Sequence, residues 1–117
     1  NNSTGIGGSS YVAYLFSSVS SISKVGSYLG STSAVTVKTG FQPRLVIIKN
    51  IVNTASWNMY DTTRGWASGD DKYIYLDTDA VQGDVAFGQP TSTGFTVDTG
   101  NALFNAPNNT YIYYCHA

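Results

Sequence analysis

Apolar and polar positions alternate with a period of two through much of this chain, and no segment sustains the 3.6-residue period of an amphipathic helix. Ser56-Trp57-Asn58-Met59-Tyr60-Asp61 is the clearest case, with Trp57 and Met59 on one strand face and Asn58 and Tyr60 on the other. Tyr73-Ile74-Tyr75-Leu76 repeats the pattern, the two tyrosines facing away from Ile74 and Leu76. Residues 45–48 (Leu-Val-Ile-Ile) break it. A continuous branched apolar run fits a strand buried on both faces. It starts just after Gly40-Phe41-Gln42-Pro43, where proline presets its own φ and pushes the residue before it to extended geometry. Two buried faces need two covers, which calls for packed layers rather than one open sheet.

Further strands are predicted over residues 11–16 (Tyr11-Val12-Ala13-Tyr14-Leu15-Phe16), 24–28, 34–38, 94–98 and 111–115, with a short one at 85–87. Residues 24–28 and 34–38 read as the arms of a hairpin around Leu29-Gly30-Ser31-Thr32-Ser33. Residues 1–10, rich in Asn, Ser and Gly, read as a linker or arm, and residues 11–117 as one domain. Strands at roughly 10-residue spacing with turn signals between them predict an all-β fold, an antiparallel β-sandwich of jelly-roll-like form. The expected core is Val46 and Ile48 with most of Phe41, Trp57, Ile74, Phe95 and Ile112.

Ser10-Tyr11-Val12-Ala13-Tyr14-Leu15-Phe16 is echoed by Thr110-Tyr111-Ile112-Tyr113-Tyr114-Cys115-His116, each after a lead rich in Asn, Gly, Ser or Pro. Two readings are open. These are two similar strands of one sheet, or the motif closes a repeated module and its first copy belongs to a preceding one.

Composition supports the strand reading. Of 117 residues 42% are hydrophobic and 14% aromatic, which excludes disorder, while only 11% are charged, so Ser, Thr, Asn and Gly carry the polar load. All seven acids are Asp, and the nine Tyr suit half-buried pleated surfaces. A net charge of -1, with the six cations scattered singly, offers no footprint for nucleic acid. No apolar run is long enough to cross a membrane as a helix, and none resembles a leader peptide. With Asn1 first and Met59 the only methionine, the chain is expected to be a piece of a longer product. Cys115 is alone, so it forms no internal disulfide or cysteine zinc site, and it is expected to be a small buried hydrophobe.

Candidate chemistry is sparse. Asp61 and Arg64, with Trp57 beside them, can bring carboxylate and guanidinium together across a turn, either as a ligand site or as a clamp on the loop. Trp66, in a Gly/Ser loop, is the aromatic expected to be exposed at a contact. Tyr60 joins Trp66, Arg64 and Asp61 as a candidate ligand-binding residue, and Tyr14, Tyr28, Tyr73 and Tyr75 extend the aromatic inventory. Asp70, Asp71, Asp77, Asp79 and Asp84 surround one strand, where loop oxygens could take calcium. The spacing lacks the Gly and Glu of an EF-hand, so solvated turns are expected and no metal or cofactor site is assigned. His116, the only histidine, sits one residue from the chain end, poorly placed for a Ser-His-Asp relay. The expectation is a non-enzyme.

The ordered elements resemble a recurrent domain-of-unknown-function module of structural and tail-fibre-like proteins of marine tailed phages. The resemblance rests on residues 11–16, Ser23-Lys24-Val25-Gly26-Ser27-Tyr28 with Gly30, Gly40-Phe41 with Pro43, Val46, Ile48 and Lys49, Trp57 with Asp61 and Arg64, Gly94-Phe95 with Val97, and Thr110-Tyr111-Ile112-Tyr113. It departs at Cys115-His116-Ala117, where that module closes with small and apolar residues and an acid. The resemblance implies a virion appendage outside the cell, no catalytic residues, contact with a host-surface glycan or protein receptor, and a homo-oligomer, most often a trimer. A spacer or decoration module that assembles with itself or other virion proteins is the alternative.

Overall fold

Nine strands account for the regular structure among the described residues, and three of their ladders join strands far apart in sequence. The computed structural model describes residues 7–8 and 10–117. The strands are Ser23–Leu29 (β1), Val35–Lys38 (β2), Leu45–Asn50 (β3), Asn58–Asp61 (β4), Asp71–Tyr75 (β5), Gly83–Val85 (β6), Pro90–Thr91 (β7), Gly94–Val97 (β8) and Thr110–His116 (β9). No helix occurs among the described residues. The predicted linker at residues 1–10 lies outside them, apart from Gly7, Gly8 and Ser10.

All pairings are antiparallel. A six-stranded sheet has the order β1-β9-β3-β4-β5-β6, and a three-stranded sheet the order β2-β8-β7. The fold is therefore an all-β sandwich, as the strand spacing predicts. The last strand, β9, is inserted between β1 and β3, so the large sheet cannot close until the end of the chain is in place. Inward-facing Tyr111, Tyr113 and Cys115 of β9 join Val46 and Ile48 of β3 and Tyr60 of β4. Val37, Phe95 and Val97 face them from the small sheet, and the rings of Phe95 and Tyr113 meet edge to face at 5.5 Å. Trp66, Phe87 and Phe104 from the loops fill the remaining core.

Several expectations need correction. Residues 11–16 form no strand, although their pattern is that of one. The predicted hairpin does not form. β1 pairs with β9 and β2 with β8, so the chain crosses from one sheet to the other between them. The Ser56–Asp61 alternation is real, but the buried side is Asn58 and Tyr60, and Trp57 faces out at 39% exposure. Ile74 and Ile112 are only half-buried, since they too point to the outer face. In β3 the inner residues Val46 and Ile48 are fully buried, whereas Leu45 and Ile47 are half-covered.

Tyr113 lies across Gly26, its partner in the β1–β9 register. A Cβ at position 26 would come within 2.6 Å of the Tyr113 hydroxyl, so glycine here makes room for the ring. At the centre of the core, Ile48→Ala is expected to cost about 2–5 kcal/mol through lost transfer energy and a residual cavity. Urea unfolding measures this, and an unchanged midpoint would remove Ile48 from the core.

Candidate functional site

The four candidate ligand-binding residues do not act together. Strand alternation separates them: Tyr60 points inward from β4, while Asp61 points outward at its end. Asp61 and Arg64 do meet. Asp61 Oδ2 stands 3.0 Å from Arg64 Nε, and its Oδ1 accepts the Arg64 backbone N–H at 2.8 Å. The Asp61 carbonyl also accepts N–H groups of Arg64 and Trp66, and Arg64 Nη1 donates to Gln82 Oε1 at 3.0 Å. Every one of these bonds folds the loop after β4 or ties it to the loop before β6. The pair is thus a loop clamp. With the Arg64 side chain open to solvent, the ion pair itself contributes little to stability.

Trp66 is not the exposed contact residue that its Gly/Ser loop suggested. It is 1% exposed, its indole N–H donates to the Gly88 carbonyl at 3.1 Å, and its ring packs against Phe87 and Phe95. The clamp turns the loop back over the open end of the sandwich and delivers the indole into it. Tyr60 is fully buried and stacks on Phe87, ring centroids 4.0 Å apart and 12° from parallel. Burial pushes the Tyr60 phenol well above its ordinary value, with the nearby Tyr73 and Asp71 adding to the effect. Tyr28 is buried as well, its hydroxyl donating to the Phe104 carbonyl at 2.7 Å. Of the aromatic inventory, Trp66, Tyr60 and Tyr28 are core, Tyr73 and Tyr75 are half-buried, and Tyr14 alone is largely exposed.

Of the clustered Asp residues, Asp70, Asp77, Asp79 and Asp84 are exposed, as solvated turns would be. Asp71 is fully buried, contrary to that expectation. Its Oδ1 accepts the Ala67 N–H at 2.9 Å, and its Oδ2 those of Phe87 and Gly88 at 3.1 and 3.2 Å. Gly88, at φ +134°, takes a backbone conformation that side chains disfavour and leaves no room for a Cβ beside the Thr96 carbonyl. One carboxylate thereby holds together the loop carrying Trp66 and the segment carrying Phe87. Asp77 Oδ1 accepts the Trp57 N–H at 3.1 Å, and Asp84 pairs with Lys72 at 3.0 Å. Among the described residues, no three His, Cys or acidic side chains converge as a metal site would require. Nor does any helix among them have the length and apolarity to cross a membrane.

Cys115 is fully buried, as expected, and burial pushes its thiol up to about 11, far from the thiolate a nucleophile requires. His116 Nδ1 and the Tyr114 hydroxyl are 3.1 Å apart at the outer face, near Asp61, Arg44 and Thr63.

The feature that pattern reading passed over is the outer face of the large sheet. Val25, Ile47, Trp57, Leu76, Ile112 and Tyr114 line an open apolar groove there. Val12, Tyr14 and Phe16 lie along the same groove, and the Phe16 and Tyr114 rings approach to 4.6 Å. The signal was present in the sequence: an apolar Ile47, Ile112 and Ile74 at the non-core parity of three strands. Three strands buried on one face only would carry polar residues at those positions.

No curated protein and no solved structure gives a significant match to this chain. A family model described as "Domain of unknown function (DUF7483)" matches residues 1–117, the whole of the sequence, and the chain belongs to that family.

Proposed function

We propose that this chain is a non-catalytic module of a tailed-phage appendage, outside the cell on the virion, that works by assembly with further units of its own fold. The phage setting comes from the sequence resemblance. The observation that carries the assembly reading is the apolar outer face of the six-stranded sheet, where Trp57 is 39% and Leu76 48% exposed. A face of this kind on a chain with only 11% charged residues favours association. The receptor reading relied on Trp66 and Tyr60, which the core absorbs, and on Arg64 and Asp61, which bind each other.

Sedimentation of the isolated chain tests this. Concentration-dependent association, with a trimer as the expected species, should weaken in a Trp57→Ser, Leu76→Ser double variant of unchanged thermal midpoint. A monomer at high micromolar concentration that binds a host glycan would return the function to receptor recognition.

A further inference from the structure

Residues 10–16 have a strand's sequence and no strand's partners. Their side chains alternate: Val12, Tyr14 and Phe16 line the groove on the large sheet, leaving Tyr11, Ala13 and Leu15 at the other parity. Neither side is covered: Leu15 is 95% and Tyr11 48% exposed, and on the groove side Val12 and Tyr14 are each 80% and Phe16 55% exposed. In the echo at β9, Tyr111, Tyr113 and Cys115 occupy that second parity, and all three are core residues. Their counterparts Tyr11, Ala13 and Leu15 are apolar as well, so the segment carries the inward face of a β9 strand with no core to meet. The outward residues match too, Val12 to Ile112 and Tyr14 to Tyr114. Tyr11 corresponds to Tyr111, whose hydroxyl donates to the Ala102 carbonyl and accepts the Ala106 N–H, both at 2.8 Å.

We propose that residues 10–16 are the closing strand of another unit of this same fold, preceding this one in the polypeptide, and that this unit covers the apolar outer face of the large sheet. The identity of the covered face rests on the assembly reading above, whereas the strand assignment stands on the echo and the orphaned parity. Chain geometry keeps the two units adjacent. Only residues 17–22 separate Phe16 from β1, a reach of at most about 22 Å if fully extended. They are not extended. Val19 and Ser23 exchange backbone bonds of 3.0 and 2.9 Å, and Ser23 Oγ donates to the Ser17 carbonyl at 2.8 Å. A unit closed by residues 10–16 is therefore held against this one, with the Val12, Tyr14 and Phe16 side of its closing strand facing the groove.

A two-unit chain tests the proposal: residues 17–109 followed directly by residues 10–117, so that the first unit has no closing strand except residues 10–16. Limited proteolysis is expected to leave a resistant core of two-unit mass. Tyr11→Asp, on the inward face, should reduce that core to one unit, while Tyr14→Asp, on the outward face, should leave both units resistant. Ala13→Tyr should raise the first unit's thermal midpoint by restoring the ring over Gly26. A one-unit core in the unsubstituted two-unit chain overturns the proposal, even if Ala13→Tyr restores the first unit. So does a two-unit core indifferent to Tyr11→Asp. Sedimentation of the single chain reports on the face independently, so failure of the strand assignment and failure of the assembly reading are separable.

Discussion

Trp66→Ala is expected to cost about 3–5 kcal/mol, the range for deleting a large buried aromatic from a core. That is a large share of the roughly 5–15 kcal/mol by which a domain is stable. The indole touches Phe87 and Phe95 and is anchored by the Gly88 carbonyl, so truncation opens a cavity and leaves that carbonyl without its donor. Relaxation is limited because the Asp61–Arg64 clamp fixes where the loop leaves β4. Trp57→Ala, on the outer face, should cost much less in the same assay. Chemical unfolding followed by circular dichroism distinguishes the two. A Trp66 variant as stable as the parent would mean that the loop stands open and the residue is free to act at a contact after all.

Asp71→Ala should be comparably damaging by a different route. Three backbone N–H groups, of Ala67, Phe87 and Gly88, lose their only side-chain acceptor at a buried site. Each orphaned donor costs about 1–3 kcal/mol, and since the three share one loop junction the total is expected near 3 kcal/mol rather than their sum. Asp71→Asn retains one acceptor oxygen and should fall between. The carboxyl also gives a pH signature. Burial raises its pKa above the ordinary 3.8, the three N–H donors pull it back in part, and the charge of Asp98 adds to the rise. The folded state therefore binds this proton more tightly than the unfolded state does. Stability from this group is full below the unfolded pKa and declines as pH rises through the raised folded value. The parent minus Asp71→Asn difference in unfolding free energy, measured from about pH 3 to pH 7, should show that decline. A difference that grows with pH would mean that the three donors outweigh burial.

Asp71 also shows what pattern reading can miss. In the sequence it is the second of an Asp-Asp pair at the start of a strand, indistinguishable from Asp70, which is exposed. Only register decides which carboxylate turns inward: β5 places Asp71 opposite Val85 of β6, beside the chain that goes on to Phe87 and Gly88. The burial of Trp66 is hidden from the sequence for a related reason. A tryptophan among Gly, Ser and Asp looks exposed when only neighbours in sequence are counted, yet Gly65, at φ +114°, helps the backbone turn so that the indole enters the core.

The sequence by itself determined the class of structure, the positions of most strands and their two-sided parity, because a period of two is a local property of backbone and side-chain direction. β1, β2, β3, β4, β5, β8 and β9 all fall where alternation or an apolar run predicts them. Tertiary structure alone decided which parity is inside, which strands pair, and whether a strand-like segment becomes a strand at all. Trp57 and Tyr60 have near-equal claims on a core, and the choice fell to Tyr60 because its side of the large sheet faces the small one. The hairpin expected between β1 and β2 gave way to β1–β9 and β2–β8 ladders, since partners for backbone N–H and C=O groups are selected by the packing of the whole chain. Residues 11–16 carry the same pattern as β9 and remain unpaired, because a ladder needs a neighbour and β9 already fills the place between β1 and β3.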